Sequence, residues 1–99
     1  MAYKISFQKT AINEFDQIVA YLAQQSMNAA SKFKDEWFDC LDALKEGTVD
    51  YGLSRFPKLA SQGYHAVYFS NYVMLYFQSE DTRTIAHVFH QRQNYFNIV

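Results

Sequence analysis

The chain has 99 residues, 49% of them hydrophobic and 18% aromatic, with a formal net charge of −1. That length suits one domain spanning residues 1–99 with one core. The near-neutral charge suits poorly a site walled by nucleic-acid phosphates, and the single cysteine, Cys40, excludes an internal disulfide. No apolar run approaches bilayer-spanning length and no charged-then-apolar leader opens the chain, so a cytoplasmic protein without a membrane is expected.

Residues 3–7 alternate, with Tyr3, Ile5 and Phe7 on one side and Lys4 and Ser6 on the other, which predicts a short strand with one buried face. From Ala11 the period changes. Ala11, Phe15, Ile18, Val19 and Leu22 recur at helical spacing to about residue 24, with Thr10 a candidate N-cap. Residues 25–28 break the pattern, and Ser26 or Asn28 can cap a second helix. That helix carries Ala29, Ala30, Phe33, Trp37, Cys40, Leu41 and Leu44 on one stripe and stops at Gly47. So short a link makes the two helices an antiparallel hairpin. Residues 48–63 read as a loop containing one irregular apolar piece, punctuated by Pro57 and Gly63.

The rest of the chain is organised around residues 64–92. Residues 64–69, 72–78 and 83–89 are rich in Val, Ile, Tyr and Phe and read as three strands. Ser70-Asn71 and residues 79–82 are links too short for a parallel crossover, so the strands form an antiparallel meander. In the first link Asn71 is the residue that best tolerates positive φ. The expected fold is therefore α+β: an N-terminal strand, a two-helix hairpin, then a three-stranded meander that the first strand joins.

The helical hairpin can cover one face of that sheet. The other face is expected to be aromatic and mostly tyrosine, with Tyr68, Tyr72 and Tyr76 as its row. Either the tail 94–99 folds over this face or a protein partner does. Charge is uneven as well: residues 14–50 hold eight acids against Lys32, Lys34 and Lys45. After Asp81 there is no acid, while His87, His90 and Arg92 follow Arg83.

No phosphate-gripping glycine loop, Cys-x-x-Cys pair or HExxH motif is present. His87 and His90 are three apart, which on a regular strand puts them on opposite faces and argues against a metal pair. Neither a metal nor another cofactor is expected. The remaining constellation is His90-x-Arg92 with Tyr95. In a catalytic reading His90 is a general acid or base, Arg92 an anion clamp and Tyr95 an aromatic platform. In a structural reading His90 is half-buried and hydrogen-bonded to backbone, with Arg92 solvated.

The order strand, helical hairpin, loop and meander resembles the RelE/ParE superfamily of toxins from bacterial type II toxin–antitoxin modules. Three stretches carry the resemblance: Ala29-Ala30-x-x-Phe33 at the start of the second helix, Asn71-Tyr72-Val73-Met74-Leu75-Tyr76, and Ile85-Ala86-His87-Val88-Phe89-His90-Gln91-Arg92. The chain differs from the family pattern in having His65 where Arg is frequent, and Gln93-Asn94 where a second basic residue commonly follows. The paired helices and the His-x-Arg ending look more like the ParE branch. That resemblance implies a toxin that binds a cellular target such as DNA gyrase and forms a hetero-oligomer with a cognate antitoxin. With such a binding role, the charge layout makes Arg83, Arg92 and Tyr95 the expected target contacts, and the aromatic face makes Tyr68, Tyr72 and Tyr76 the expected antitoxin contacts. The RelE branch implies instead a ribosome-dependent mRNA endonuclease using His90, Arg92 and Tyr95, with His65 a further candidate. A third reading keeps the fold and the antitoxin contact without toxicity.

Overall fold

The computed structural model describes residues 2–47, 52–54 and 56–92. Strand β1 (Lys4–Phe7) leads into helices α1 (Lys9–Gln25) and α2 (Met27–Glu46), then a short helix α3 (Pro57–Ser61) and strands β2 (His65–Phe69), β3 (Tyr72–Ser79) and β4 (Thr82–His90). The described sheet has the order β1-β4-β3-β2. The three C-terminal strands form the expected antiparallel meander, and β1 adds parallel to β4. The long excursion through the hairpin is what a parallel neighbour requires.

Local chemistry accounts for the element ends. Helix α1 starts after Gln8, which gives it no side-chain cap; Thr10 already lies inside the first turn. The hydroxyl oxygen of Ser26 accepts from the Ala29 N–H and caps α2. Gly47 closes α2 at φ 71°, where a Cβ would be strained. Between β2 and β3 the positive φ falls on Ser70, not on Asn71. Gln91 holds that turn from the end of β4: its Nε2 donates to Ser70 O (2.9 Å) and Tyr72 O (3.1 Å), and its backbone N–H to Asn71 O (2.7 Å).

The two apolar stripes of the hairpin lie on one face of the sheet. Trp37 is 4% exposed. Its ring lies 4.8 Å from Phe15 and 6.4 Å from Phe69, and Phe33 meets the edge of Tyr72 at 4.7 Å. Ala11, Leu44, Val67, Met74, Tyr76, Ile85 and Val88 complete this core. The other face is closed by a second cluster, in which Leu59 of α3 packs with Ala66, Val73, Leu75 and Phe89, flanked by Phe56 and Tyr64. The stretch expected to be loop thus supplies a lid. Pro57 at its first position, pre-set for helical φ, was the sequence signal.

This arrangement corrects the expected tyrosine row. A two-residue turn sets Phe69 opposite Tyr72 and Tyr68 opposite Val73. Directly paired residues share a face, so Tyr72 lies on the helical side and Tyr68 on the other. Tyr76 shares the helical side, stacks on His65 at 5.0 Å and is 1% exposed, so it is a core residue and not a surface for antitoxin. Tyr68 is 40% exposed.

Truncating Trp37 tests this packing. Trp37→Ala is expected to cost about 3–5 kcal/mol, read as a lower denaturation midpoint; an unchanged midpoint would contradict the hairpin-on-sheet core.

Candidate functional site

Strand β4 carries the sequence-predicted basic residues, and the structure separates them. Arg83 was expected as a target contact, but it is wholly buried. Its Nη1 donates to Leu44 O at 2.9 Å, its Nε donates to Gln78 Oε1 at 3.1 Å, and its guanidinium lies 4.0 Å over the Tyr3 ring. Leu44 lies in the last turn of α2, where exposed carbonyls favour a cation. Arg83 therefore joins the C-terminal end of α2 to the start of β4 instead of facing a partner. The signal in the sequence was its parity: Arg83 and Ile85 share a face of the strand.

Seven residues further on, the chain returns to the surface. His90 is half-buried against Tyr72, ring centroids 5.3 Å apart at 75°. The Arg92 backbone N–H donates to His90 Nδ1 at 3.1 Å, which puts the proton of the neutral ring on Nε2. The side chain of Arg92 is exposed. His90 lines an open groove of about 400 Å³ together with Gln17, Ile18 and Tyr21 of α1 and Tyr72 and Val88 of the sheet. Tyr95 and Arg55 lie outside the described residues. His65 is not brought to His90. It pairs with Tyr76, whereas His90 pairs with Tyr72. Four positions along β3 correspond to about 13 Å.

A second polar cluster, not legible in the sequence, lies at the edge of β4. Both carboxylate oxygens of Glu14 lie within hydrogen-bond distance of His87 Nδ1, at 3.1 and 3.2 Å, and Glu14 Oε1 also accepts the Val88 N–H at 3.1 Å. A carboxylate can only accept, so Nδ1 of His87 carries a proton. One turn earlier the Thr10 hydroxyl donates to Ala86 O at 2.7 Å. In the sequence Glu14 is one of the eight acids of residues 14–50, with nothing to tie it to β4.

Elsewhere, burial, reinforced by Asp39 and Glu36, pushes the Cys40 thiol up to about 11. It stays protonated at neutral pH and is a poor nucleophile. Phe7, Ile12 and Phe38, all exposed, surround a shallow apolar groove of about 250 Å³ floored by Trp37 and Phe15. No group of three or more His, Cys, Asp or Glu side chains placed to hold a metal occurs among the described residues. None of the described helices is long and apolar enough to cross a membrane.

The burial of Arg83 yields a direct test. Arg83→Met keeps the length of the side chain and removes its donors. It is expected to lower the stability of the free protein by about 1.5–3 kcal/mol, measured by denaturant unfolding. Unchanged stability would return Arg83 to the surface.

Two comparisons bear on this architecture. A solved structure of the chromosomal ParDE TA system from P. aeruginosa matches with a TM-score of 0.68 at 13% identity, covering 90% of this chain and 96% of that one. At that identity the likeness is one of fold. The comparison with curated proteins gave no match. The family model of the ParE toxin of type II toxin–antitoxin systems matches residues 5–95, which spans β1 to β4 and the His90-x-Arg92 ending. The chain therefore belongs to the ParE toxin family of type II toxin–antitoxin systems.

Proposed function

We propose that the protein is a toxin that acts by binding a macromolecular target through the end of β4, with DNA gyrase as the target and a cognate antitoxin as its neutralising partner. The observation that supports this reading is how the cations of the second half are used. Arg83 is wholly buried in contacts to Leu44, Gln78 and Tyr3, leaving Lys58 and Arg92 as the exposed cations after residue 56 among the described residues. Binding inside a phosphate-walled site draws on many such charges. A protein interface is dominated instead by a few anchors, with arginine and aromatic side chains foremost. Arg92, exposed beside the His90–Tyr72 pair, fits that pattern. Tyr95 belongs to the same proposed surface.

His90 supports the same choice. Its Nδ1 accepts from the Arg92 backbone, and its ring is seated on Tyr72. This is the structural role set out for it in the sequence, and it shapes the loop that presents Arg92. The exposed apolar groove at Phe7, Ile12 and Phe38 supports a protein partner such as the antitoxin, with the toxin held in a hetero-oligomer. Tyr68, exposed on the opposite face, is a second contact for that partner.

The test compares two assays on purified wild type, Arg92→Ala and His90→Gln. Wild type is expected to inhibit gyrase supercoiling. Arg92→Ala is expected to weaken inhibition by about tenfold or more, as truncation of an interface anchor does. His90→Gln, which keeps an acceptor for the Arg92 N–H, is expected to be milder. Cleavage of mRNA on programmed ribosomes that disappears in His90→Gln would overturn this reading in favour of an endonuclease.

A further inference from the structure

Strand β4 changes sides midway. Along β3, Leu75 and Tyr76 are consecutive, but their partners on β4 are His87 and Ile85. Ala86 is thus an extra residue, a β-bulge. Before it, odd-numbered Arg83 and Ile85 face the helices. After it, even-numbered Val88 and His90 do, and Phe89 packs beneath α3. A regular strand would place His90 on the α3 side and Phe89 on the helical side.

The bulge coincides with the loss of a neighbouring strand. β1 ends at Phe7, opposite Ile85. From there α1 takes over the edge. The Gln8 backbone N–H donates to Ile85 O, the Thr10 hydroxyl to Ala86 O, and Glu14 receives His87 Nδ1 and the Val88 N–H. Thr10 and Glu14 are four apart, so they stand on the same side of α1. Together they bond the bulged residue and the two residues after it.

We propose that Thr10 and Glu14 form a register clamp: they hold the Ala86 bulge and thereby place His90, and Arg92 behind it, on the helical side where the target contact is made. They are positioning residues for that contact. The part concerning the target rests on the reading of Arg92 given above; the part concerning register does not. Two hydrogen-bonding side chains from a rigid helix specify the irregular pairing, where the strand alone would gain a paired position by straightening. The ring of Tyr72 is the opposite reference point, because with Ala86 present it meets His90 only when the strand is bulged.

The experiment measures the nuclear Overhauser contact between the His90 and Tyr72 rings, beside gyrase inhibition, in the full chain. In Thr10→Val/Glu14→Ala the ring contact is expected to vanish and inhibition to fall by about tenfold or more. Glu14→Gln retains an acceptor for the Val88 N–H and should keep both. Deleting Ala86 removes the bulge while leaving Val88 and His90 facing the helices, so the deletion should retain the ring contact and make it insensitive to Thr10→Val/Glu14→Ala. Should the double variant unfold, Glu14→Ala alone is read by the same ring contact. A ring contact that survives the loss of the clamp side chains overturns the clamp and leaves the target reading intact. A lost ring contact with undiminished inhibition overturns the link to the target, and with it the placing of the contact at Arg92.

Discussion

The pairing of β4 with its neighbours is the constraint on which the other features depend. It is the strand that joins β1, in parallel, to the meander, through its antiparallel pairing with β3. Its large apolar side chains are divided between two cores: Ile85 and Val88 go to the cluster under the hairpin, Phe89 to the cluster under α3. A slip of one residue would exchange these assignments and bring Arg83 out while burying Thr82 or Thr84 in its place. The bulge at Ala86 lets one strand satisfy two incompatible parities. Arg83 before it ties down the end of α2, and His90 after it rests on Tyr72.

Two kinds of polar contact hold this strand against the helices. Arg83 brings a charge into the interior, and its geometry compensates for desolvation with a carbonyl, a side-chain amide oxygen and an aromatic face. Glu14 lies at the sheet edge, partly solvated, and accepts from a ring nitrogen and a backbone amide at once. No buried side-chain polar atom lacks a partner among the described residues. These contacts are directional, so they select one register from several that apolar packing alone would tolerate.

Much of the fold was legible because its signals are local. The 3.6-residue stripe from Ala11 to Leu22, the Ser26 cap and Gly47 mark both helices within a residue or two. Short links and β-branched or aromatic runs mark the meander. Which residues share a face was not legible beyond a single strand. Tyr68 and Tyr72 look alike in sequence, yet the turn through Ser70 puts them on opposite sides. Nothing in Ile85-Ala86-His87 announces an extra residue, because a bulge is selected by partners far along the chain, here Thr10 and Glu14. For the same reason Arg83 read as a surface cation. Its partners Leu44 and Tyr3 are close only once the fold has formed. Of the candidate site, His90 and Arg92 were singled out in the sequence, and the backbone hydrogen bond between them is the kind that the structural alternative expected.

The functional account stands on Arg92 meeting a protein and not an RNA. The most direct measurement is photo-crosslinking from position 92 in growing cells, with a photoreactive amino acid in place of Arg92 and the captured macromolecule identified after purification. The account predicts a crosslink to a gyrase subunit, diminished when the cognate antitoxin is co-expressed. A crosslink to ribosomal RNA, or to a ribosomal protein with gyrase unlabelled, would contradict it.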